Sequence, residues 1–112
     1  MDKREAILLE NFNEYYSVGM EAYAKKKYNS ATTLFFKAIA ALCDLSIFRK
    51  EGTIPSSHAS RFRIMEERYK ELYRIADRDF PFYQDSYTKK MDKEIATLLK
   101  EDAETIKNML GI

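Results

Sequence analysis

The stretch of the chain that most constrains its fold runs from Tyr15 to Leu45, with the sequence YYSVGMEAYAKKKYNSATTLFFKAIAALCDL. Its first half repeats apolar side chains every three or four residues, which predicts an amphipathic helix. A polar break follows at Tyr28-Asn29, and the second half predicts another helix that is rich in alanine. Gly19 lowers helix propensity, so its place inside the first helix indicates that another backbone lies close to it. Together these features predict two helices packed back to back at short distance.

The rest of the chain also predicts helices, since only three Gly and two Pro are present among 112 residues. Gly52 predicts the end of the second helix, because glycine suits the left-handed position after a helix. Pro81 predicts a break, because the residue before a proline is pushed away from helical geometry. The predicted helices cover residues 3–26, 30–51, 57–78, 81–90 and 92 onward, with Asn29 or Ser30 as the N-cap of the second.

Helices of this length joined by short turns predict an all-α fold, an antiparallel up-and-down bundle of four to five helices. The length of 112 residues is that of one ordinary domain, so residues 1–112 are expected to form a single domain.

The charge of the chain is nearly balanced, with 19 basic and 18 acidic residues and a formal net charge of +1. This balance gives no general attraction to nucleic acid or anionic membrane, so any such binding depends on a local patch. Cys43 and His58 are the only cysteine and histidine, which excludes an internal disulfide and a Cys/His zinc site made by this chain alone. Cys43 lies in the apolar stripe of the second helix and is predicted to be a core residue. We expect no metal and no cofactor.

The N-terminal residues, MDKREAILLENF, are charged and lack the unbroken apolar segment of a signal peptide. No apolar run approaches the roughly 18 residues that a membrane-spanning helix needs. We therefore expect a soluble, cytoplasmic protein that does not contact a membrane.

The first helix pair resembles a tetratricopeptide repeat in spacing and residue type. The matching positions are Tyr15, Val18, Gly19, Ala31, Phe35 and Ala38. The pair departs from the repeat at Ala22 and Cys43, its second helix is about six residues longer, and nothing downstream repeats the pattern. The resemblance implies close helix packing, and it leaves a helical scaffold that binds a peptide or protein partner as one alternative function.

Four phrases in order along the chain resemble another family. They are GMEAYAKKKYNSA, ALCDLSIFRKEGTIPSSH, YKELYRIADRD and QDSYTKKMDKEIATLLKEDAETIKNML. Their order and spacing are similar to those of the HEPN family, small prokaryotic helical domains often found beside minimal nucleotidyltransferases. The resemblance implies an accessory or binding role in a toxin-antitoxin-like pair, with a small nucleotidyltransferase as partner and nucleotide or RNA as candidate ligands.

Catalytic members of the HEPN family carry an Arg followed four to six residues later by a His near the dimer seam, where the pair cleaves RNA without a metal. His58 instead lies nine residues after Arg49 and ahead of the expected region. The stretch 74–87 has arginines and tyrosines but no imidazole, and Tyr, with a pKa of about 10, is a poor general base near neutral pH. We therefore expect no catalytic residues. A ribonuclease with a non-standard Arg/Tyr site is the other alternative.

The candidate nucleotide- or RNA-binding residues surround the break predicted at Pro81. They are Arg74, Arg78, Tyr83 and Tyr87. A guanidinium binds phosphate through its fork and a tyrosine ring stacks on a base, so the four could form one binding rim. The opposing interpretation is that the arginines pair with Asp77, Asp79 or Asp85 and that the tyrosines complete the core.

Aromatic side chains stand on more than one face of their helices, and one bundle interior cannot cover two faces. The candidate interface residues are Tyr15, Tyr16, Phe36, Phe80 and Phe82. Their number predicts a homodimer in which a second subunit covers some of them. The alternative is that amphipathic tyrosines lie on the surface, which is common.

Overall fold

The structure, a computed structural model, describes all residues from Met1 to Ile112 and contains five α-helices and no strand. The helices are α1 (Lys3–Ala24), α2 (Tyr28–Glu51), α3 (His58–Arg68), α4 (Lys70–Asp85) and α5 (Lys93–Met109). The prediction of an all-α bundle is confirmed.

The central helix is α2, whose residues from Phe35 to Phe48 are buried almost without interruption. It ends as predicted at Gly52, which has a φ of 76° and occupies the left-handed position. The predicted N-cap at Asn29 or Ser30 is wrong, since the helix begins at Tyr28 without a side-chain cap. The Asn29 amide is used elsewhere: its nitrogen donates to the carbonyl oxygens of residues 86 and 89, at 3.0 and 2.7 Å, and so fixes the α4–α5 connection.

Helix α1 packs antiparallel on α2, as the first helix pair predicts. Arg49 pairs with Glu5 at 2.5 Å at one end of the pair, and the rings of Tyr23 and Tyr28 meet at the other. Gly19 faces α2, and a Cβ there would lie 2.8 Å from the Phe35 ring. The predicted close approach is therefore real, although the group that occupies the space is an aromatic side chain rather than backbone.

Helices α4 and α5 complete the layer around α2. Helix α4 runs antiparallel to α2, because Thr33 contacts Ser86 while Phe36 stacks on Tyr83. Helix α5 runs antiparallel to α1, and the Tyr23 hydroxyl contacts the Thr97 hydroxyl at 2.7 Å between them.

The prediction of one helix over residues 57–78 that ends before Pro81 is wrong. The chain breaks at Tyr69, between α3 and α4, and α4 continues through Pro81. Tyr69 leaves helical geometry, with φ −133° and ψ 66°, and its hydroxyl donates to Glu51 at the end of α2. The neighbouring Arg68 binds the same carboxylate at 2.9 Å. Pro81 is accommodated inside α4 because it lies on the exposed side, where water can satisfy the carbonyl group that a proline leaves without a donor.

Helix α3 runs alongside α2 in the same direction, which departs from a strict alternation of up and down. Phe36 meets His58 near the middle of α2, Asp44 then pairs with Arg61, and Glu51 with Arg68. The non-helical residues 52–57 make this possible, because they carry the chain back along α2 before α3 begins.

The core contains two clusters of buried side chains. One surrounds Leu42, Leu45 and Met65, and the other surrounds Phe35 and Leu99. Cys43 is fully buried, as predicted, and burial raises the pKa of its thiol to about 12. A thiol in this environment stays protonated and unreactive at neutral pH.

The expectation that no segment is long and apolar enough to span a membrane does not hold for α2. Its 24 residues meet both conditions, with a mean hydropathy of 1.6 over the most apolar window. In the bundle, 83% of that window is buried among the other helices, which is also the property of a core helix in a globular protein.

Gly19→Ala is expected to destabilise the protein. The new Cβ would lie 2.8 and 2.9 Å from two carbons of the Phe35 ring, which is fully buried, and overpacking of this kind costs about 1–3 kcal/mol. The gain in helix propensity is at most about 1 kcal/mol. The free energy of unfolding in urea, followed by circular dichroism, measures the net effect. Ser17→Ala on the exposed side of α1 is the control, expected to change it by less than about 0.5 kcal/mol. An equally stable Gly19→Ala protein would contradict the close packing at this point.

Candidate functional site

A polar groove lies over α2 between α1 on one side and α3 with α4 on the other, and we name it the His58 groove. Its volume is about 280 Å³. The floor comes from α2, in which Lys37, Ala40, Ala41 and Asp44 follow one another at helical spacing on a single face. The other lining residues are Leu8, Asn11, Tyr15, Phe36, His58, Arg61 and Tyr83.

A network of three side chains forms one wall of the groove. The Arg61 guanidinium donates to both carboxylate oxygens of Asp44, at 2.7 and 2.9 Å, in a bidentate pair. Its remaining terminal nitrogen lies 2.7 Å from Nδ1 of His58. The Asp44 and Arg61 side chains are only 10% and 11% exposed, so the pair is shielded from water. A buried pair of this geometry holds its members in fixed positions.

The charges of the network are set by burial and by proximity. Burial opposes the charge on Arg61, but the hydrogen bonds and the charge of Asp44 outweigh it and raise the pKa of the guanidinium. The pKa of His58 is lowered, first by burial and then by the charges of Arg61 and Lys37. His58 is therefore neutral near pH 7, and because Arg61 can only donate, Nδ1 is the acceptor. The proton of the neutral ring is then on Nε2, which makes that atom a hydrogen-bond donor.

Aromatic rings surround the imidazole of His58. The centroid of its ring lies 5.1 Å from that of Phe80, 5.8 Å from that of Tyr83 and 6.2 Å from that of Phe36. The ammonium of Lys37 lies 5.7 Å from the centre of the Tyr83 ring, within the range of a cation–π contact. The groove therefore places one cation without a carboxylate partner beside a cluster of aromatic rings.

Three polar side chains of the groove have no hydrogen bond or ion pair within the protein. They are Asn11, Tyr15 and Lys37. With Nε2–H of His58, they give the groove an amide, a hydroxyl, an ammonium and an imidazole as donors. The one carboxylate in the lining, Asp44, is already neutralised by Arg61. A groove with this balance of donors and charge suits an oxyanion such as a phosphate or a carboxylate.

The four candidate binding residues at Pro81 do not share one rim. Tyr83 and Tyr87 are together, with their hydroxyl oxygens 2.9 Å apart, and Tyr83 lines the His58 groove. Arg74 and Arg78 line a different groove, formed by residues of α4 together with Glu66 of α3. Helical geometry separates the two pairs, since five residues between Arg78 and Tyr83 correspond to about 140° around the helix axis.

The candidate arginines differ in their surroundings. Arg78 donates to Asp102 of α5 at 2.6 Å and to Asp79 at 3.4 Å. It is therefore ion-paired, as the opposing interpretation held, but its closer partner, Asp102, is not among the carboxylates which that interpretation named. Arg74 is exposed and forms no ion pair. Tyr83 is 7% exposed and packs in the core, whereas Tyr87 is 67% exposed.

The candidate interface residues are largely covered by the chain itself. Phe36 is 1% exposed and stacks on Tyr83, so the reason for assigning it to an interface does not hold. The Tyr16 hydroxyl donates to Glu104. Burial is the main cause that raises the pKa of this tyrosine, and the hydrogen bond to Glu104 is the second. Tyr15, Phe80 and Phe82 are half-buried.

No protein-family model, curated protein or solved structure matches this chain. The resemblance to the HEPN family therefore rests on the order of the residues alone.

The sequence interpretation did not include the residues that form the network. Two signals could have indicated them. Asp44 is the only charged residue in the apolar run between Lys37 and Arg49, and a buried carboxylate requires a partner. His58 and Arg61 are three residues apart at the start of a helix, a spacing that places side chains side by side. Neither signal shows that Arg61 is the partner of Asp44.

Asp44→Ala is expected to lower the free energy of unfolding by about 3 kcal/mol, because it leaves the shielded guanidinium of Arg61 without its carboxylate. Thermal and urea unfolding measure this loss. Glu67→Ala is the matched control, since Glu67 pairs with Arg68 on the surface, where both side chains are more than half exposed. Its expected effect is below about 0.5 kcal/mol. Equal losses for the two variants would mean that the Asp44–Arg61 pair contributes no more than a surface pair.

The imidazole of His58 is expected to have a pKa below its ordinary 6.5, because burial and the charges of Arg61 and Lys37 disfavour the protonated ring. Since folding favours the neutral form, the stability that this group contributes is present above pH 6.5 and is lost as the pH falls through the folded-state pKa. An NMR titration of the ring protons gives the value directly. A pKa above 6.5 would indicate that the attraction of Asp44 outweighs the other effects.

Proposed function

We propose that the protein is a non-catalytic, HEPN-like accessory module that binds a small nucleotidyltransferase in a toxin-antitoxin-like pair in the cytoplasm. In this proposal the His58 groove is the surface that contacts the phosphate of a nucleotide or RNA. The all-α bundle is compatible with the family that the sequence resembles, and the groove supplies a site for the ligand.

The observation that carries the proposal is the protonation of the His58 ring, which lies in the groove beside Lys37. Nδ1 accepts from Arg61 and Nε2 carries the proton, so neither nitrogen is free to take a proton from a ribose hydroxyl. The ring can donate to a phosphate oxygen, and the ammonium of Lys37 supplies the charge. This arrangement supports binding of a phosphate without hydrolysis.

The shape of the groove supports a nucleotide or a short stretch of RNA as the ligand. Its volume of about 280 Å³ admits a small organic group. The half-buried ring of Tyr15 lies in the lining, and tyrosine faces stack on nucleobases. The phosphate would lie near Lys37 and the base near Tyr15.

A homodimer remains part of the proposal, supported by apolar side chains on the outer face of α1. Ile7 is 46% exposed and Val18 is 43% exposed. Eleven residues separate them, which places both on one side of the helix. A second subunit that covers this side would bury both.

No contact favours the other two functions over this one. In a tetratricopeptide-like scaffold the helix pair would keep a face open for its partner, but α5 of the same chain packs against both α1 and α2. In a ribonuclease with an Arg/Tyr site Arg78 would be free, but it binds Asp102.

Binding of AMP and of a short single-stranded RNA is expected at the His58 groove, and Lys37→Gln is expected to weaken it about tenfold through loss of one charge-assisted contact. NMR shift perturbation locates the site and isothermal titration measures the affinity. Lys90→Gln is the matched control on an exposed lysine outside the groove, and it should leave the affinity unchanged.

Two further measurements separate this proposal from its alternatives. Loss of affinity in Arg74→Gln but not in Lys37→Gln would move the site to the outer side of α4. RNA cleavage that disappears in His58→Asn would make the protein a ribonuclease. A separate test of the accessory role is co-expression with the product of the adjacent gene. A stable complex is expected, and a clean failure to co-purify would contradict that role.

A further inference from the structure

A buried pair of carboxyl groups lies between α4 and α5. Asp79 of α4 is 0% exposed, and Asp102 of α5 is 8% exposed and acts on Asp79 to disfavour its ionised form. Arg78 spans the two, with Nε 3.4 Å from Asp79 and a terminal nitrogen 2.6 Å from Asp102. This group supplies the only side-chain hydrogen bond between α4 and α5.

The lack of a hydrogen-bond donor to one oxygen of Asp79 indicates that this carboxyl group is protonated. Its Oδ2 is buried and receives no hydrogen bond from the protein. An ionised carboxylate oxygen without a donor would be costly in this place. A protonated Asp79 instead becomes a donor, and Asp102 is the acceptor within reach.

Burial and the charge of Asp102 act on Asp79 in the same direction, and Arg78 acts against them. Burial is the largest influence and Asp102 the next, and together they raise the pKa of Asp79 to about 8 against the opposing charge of Arg78. The groups that act on Asp79 are therefore Asp102, from α5, and Arg78, from its own helix.

We propose that Asp79, Asp102 and Arg78 form a proton-operated latch between α4 and α5. With one proton on the pair, Asp79 donates to Asp102 and the helices are held together. When that proton leaves to solvent, two negative charges face each other with one guanidinium between them, and the contact between α4 and α5 loosens.

The pH dependence follows from the sign of the change. The folded protein keeps the proton up to about pH 8, whereas the unfolded chain loses it near 3.8. The stability that the proton contributes is therefore fully present below pH 3.8 and is lost as the pH rises through about 8. Between pH 3.8 and about pH 8, the equilibrium constant for unfolding rises about tenfold per pH unit because of this group.

The first test is a carbon-13 NMR titration of the aspartate carboxyl groups in the native protein between pH 5 and pH 10. The resonance of Asp79 is expected to shift with a midpoint near pH 8. A midpoint below pH 5 would overturn the proposal. This measurement needs no variant and so does not depend on how a substitution affects folding.

The second test compares hydrogen exchange in the native protein and in Asp79→Asn, whose amide group donates to Asp102 at every pH. From pH 7 to pH 9, after correction for intrinsic exchange, protection in the facing segments of α4 and α5 is expected to fall in the native protein and to persist in the variant. Asp77→Asn, at an exposed position of the same helix, is the matched control and should behave as the native protein. Equal loss of protection in the native protein and in Asp79→Asn would show that the pair is not a latch.

Discussion

A helix of 24 residues that is apolar on almost every side has to be covered on almost every side, and α2 imposes this constraint on the whole bundle. Helix α1 covers one side, where Gly19 lets the Phe35 ring fit against the helix axis. Helix α5 covers a second side and α4 a third. Burial of each large side chain contributes roughly 1.5–3 kcal/mol. Apolar burial on α2 therefore outweighs local conformational preferences in setting the positions of these three helices. What is left is one narrow face of α2, and the His58 groove lies over it.

That remaining face carries Asp44, and this residue explains the position of α3. A carboxylate near the middle of an apolar helix requires a cation, and the nearest cations along α2 itself are at its end. Arg61 supplies the cation from α3. The chain reaches that position only because residues 52–57 lead it back along α2, so α3 runs in the same direction as α2. His58 is then fixed as a consequence, one turn before Arg61 and in contact with it.

The features that depend on local geometry can be predicted from this sequence, whereas those that depend on tertiary contacts cannot. The close approach at Gly19, the helix end at Gly52 and the burial of Cys43 depend on local geometry and periodicity, which the sequence displays directly. The helix break was assigned to Pro81 because proline is the strongest local signal. The actual break at Tyr69 is favoured by a tertiary contact, since its hydroxyl binds Glu51 on another helix. The groove was missed for the same reason: it joins residues from four helices, and no local pattern links Asp44 to Arg61.

Helix α4 contributes both to the latch and to the lining of the His58 groove. Asp79 contacts Arg78, which binds Asp102 of α5, and Tyr83, four residues later and about 40° around the axis, lines the groove. Helices α3 and α4 are each joined to a neighbouring helix by a charged contact, Arg61 with Asp44 and Arg78 with Asp102. Ion pairs are sensitive to protons and to bound ions, whereas apolar contacts are not. Protons and bound ions can therefore act on the charged contacts of α3 and α4, and one of these contacts, the Asp44–Arg61 pair, lies in the His58 groove itself.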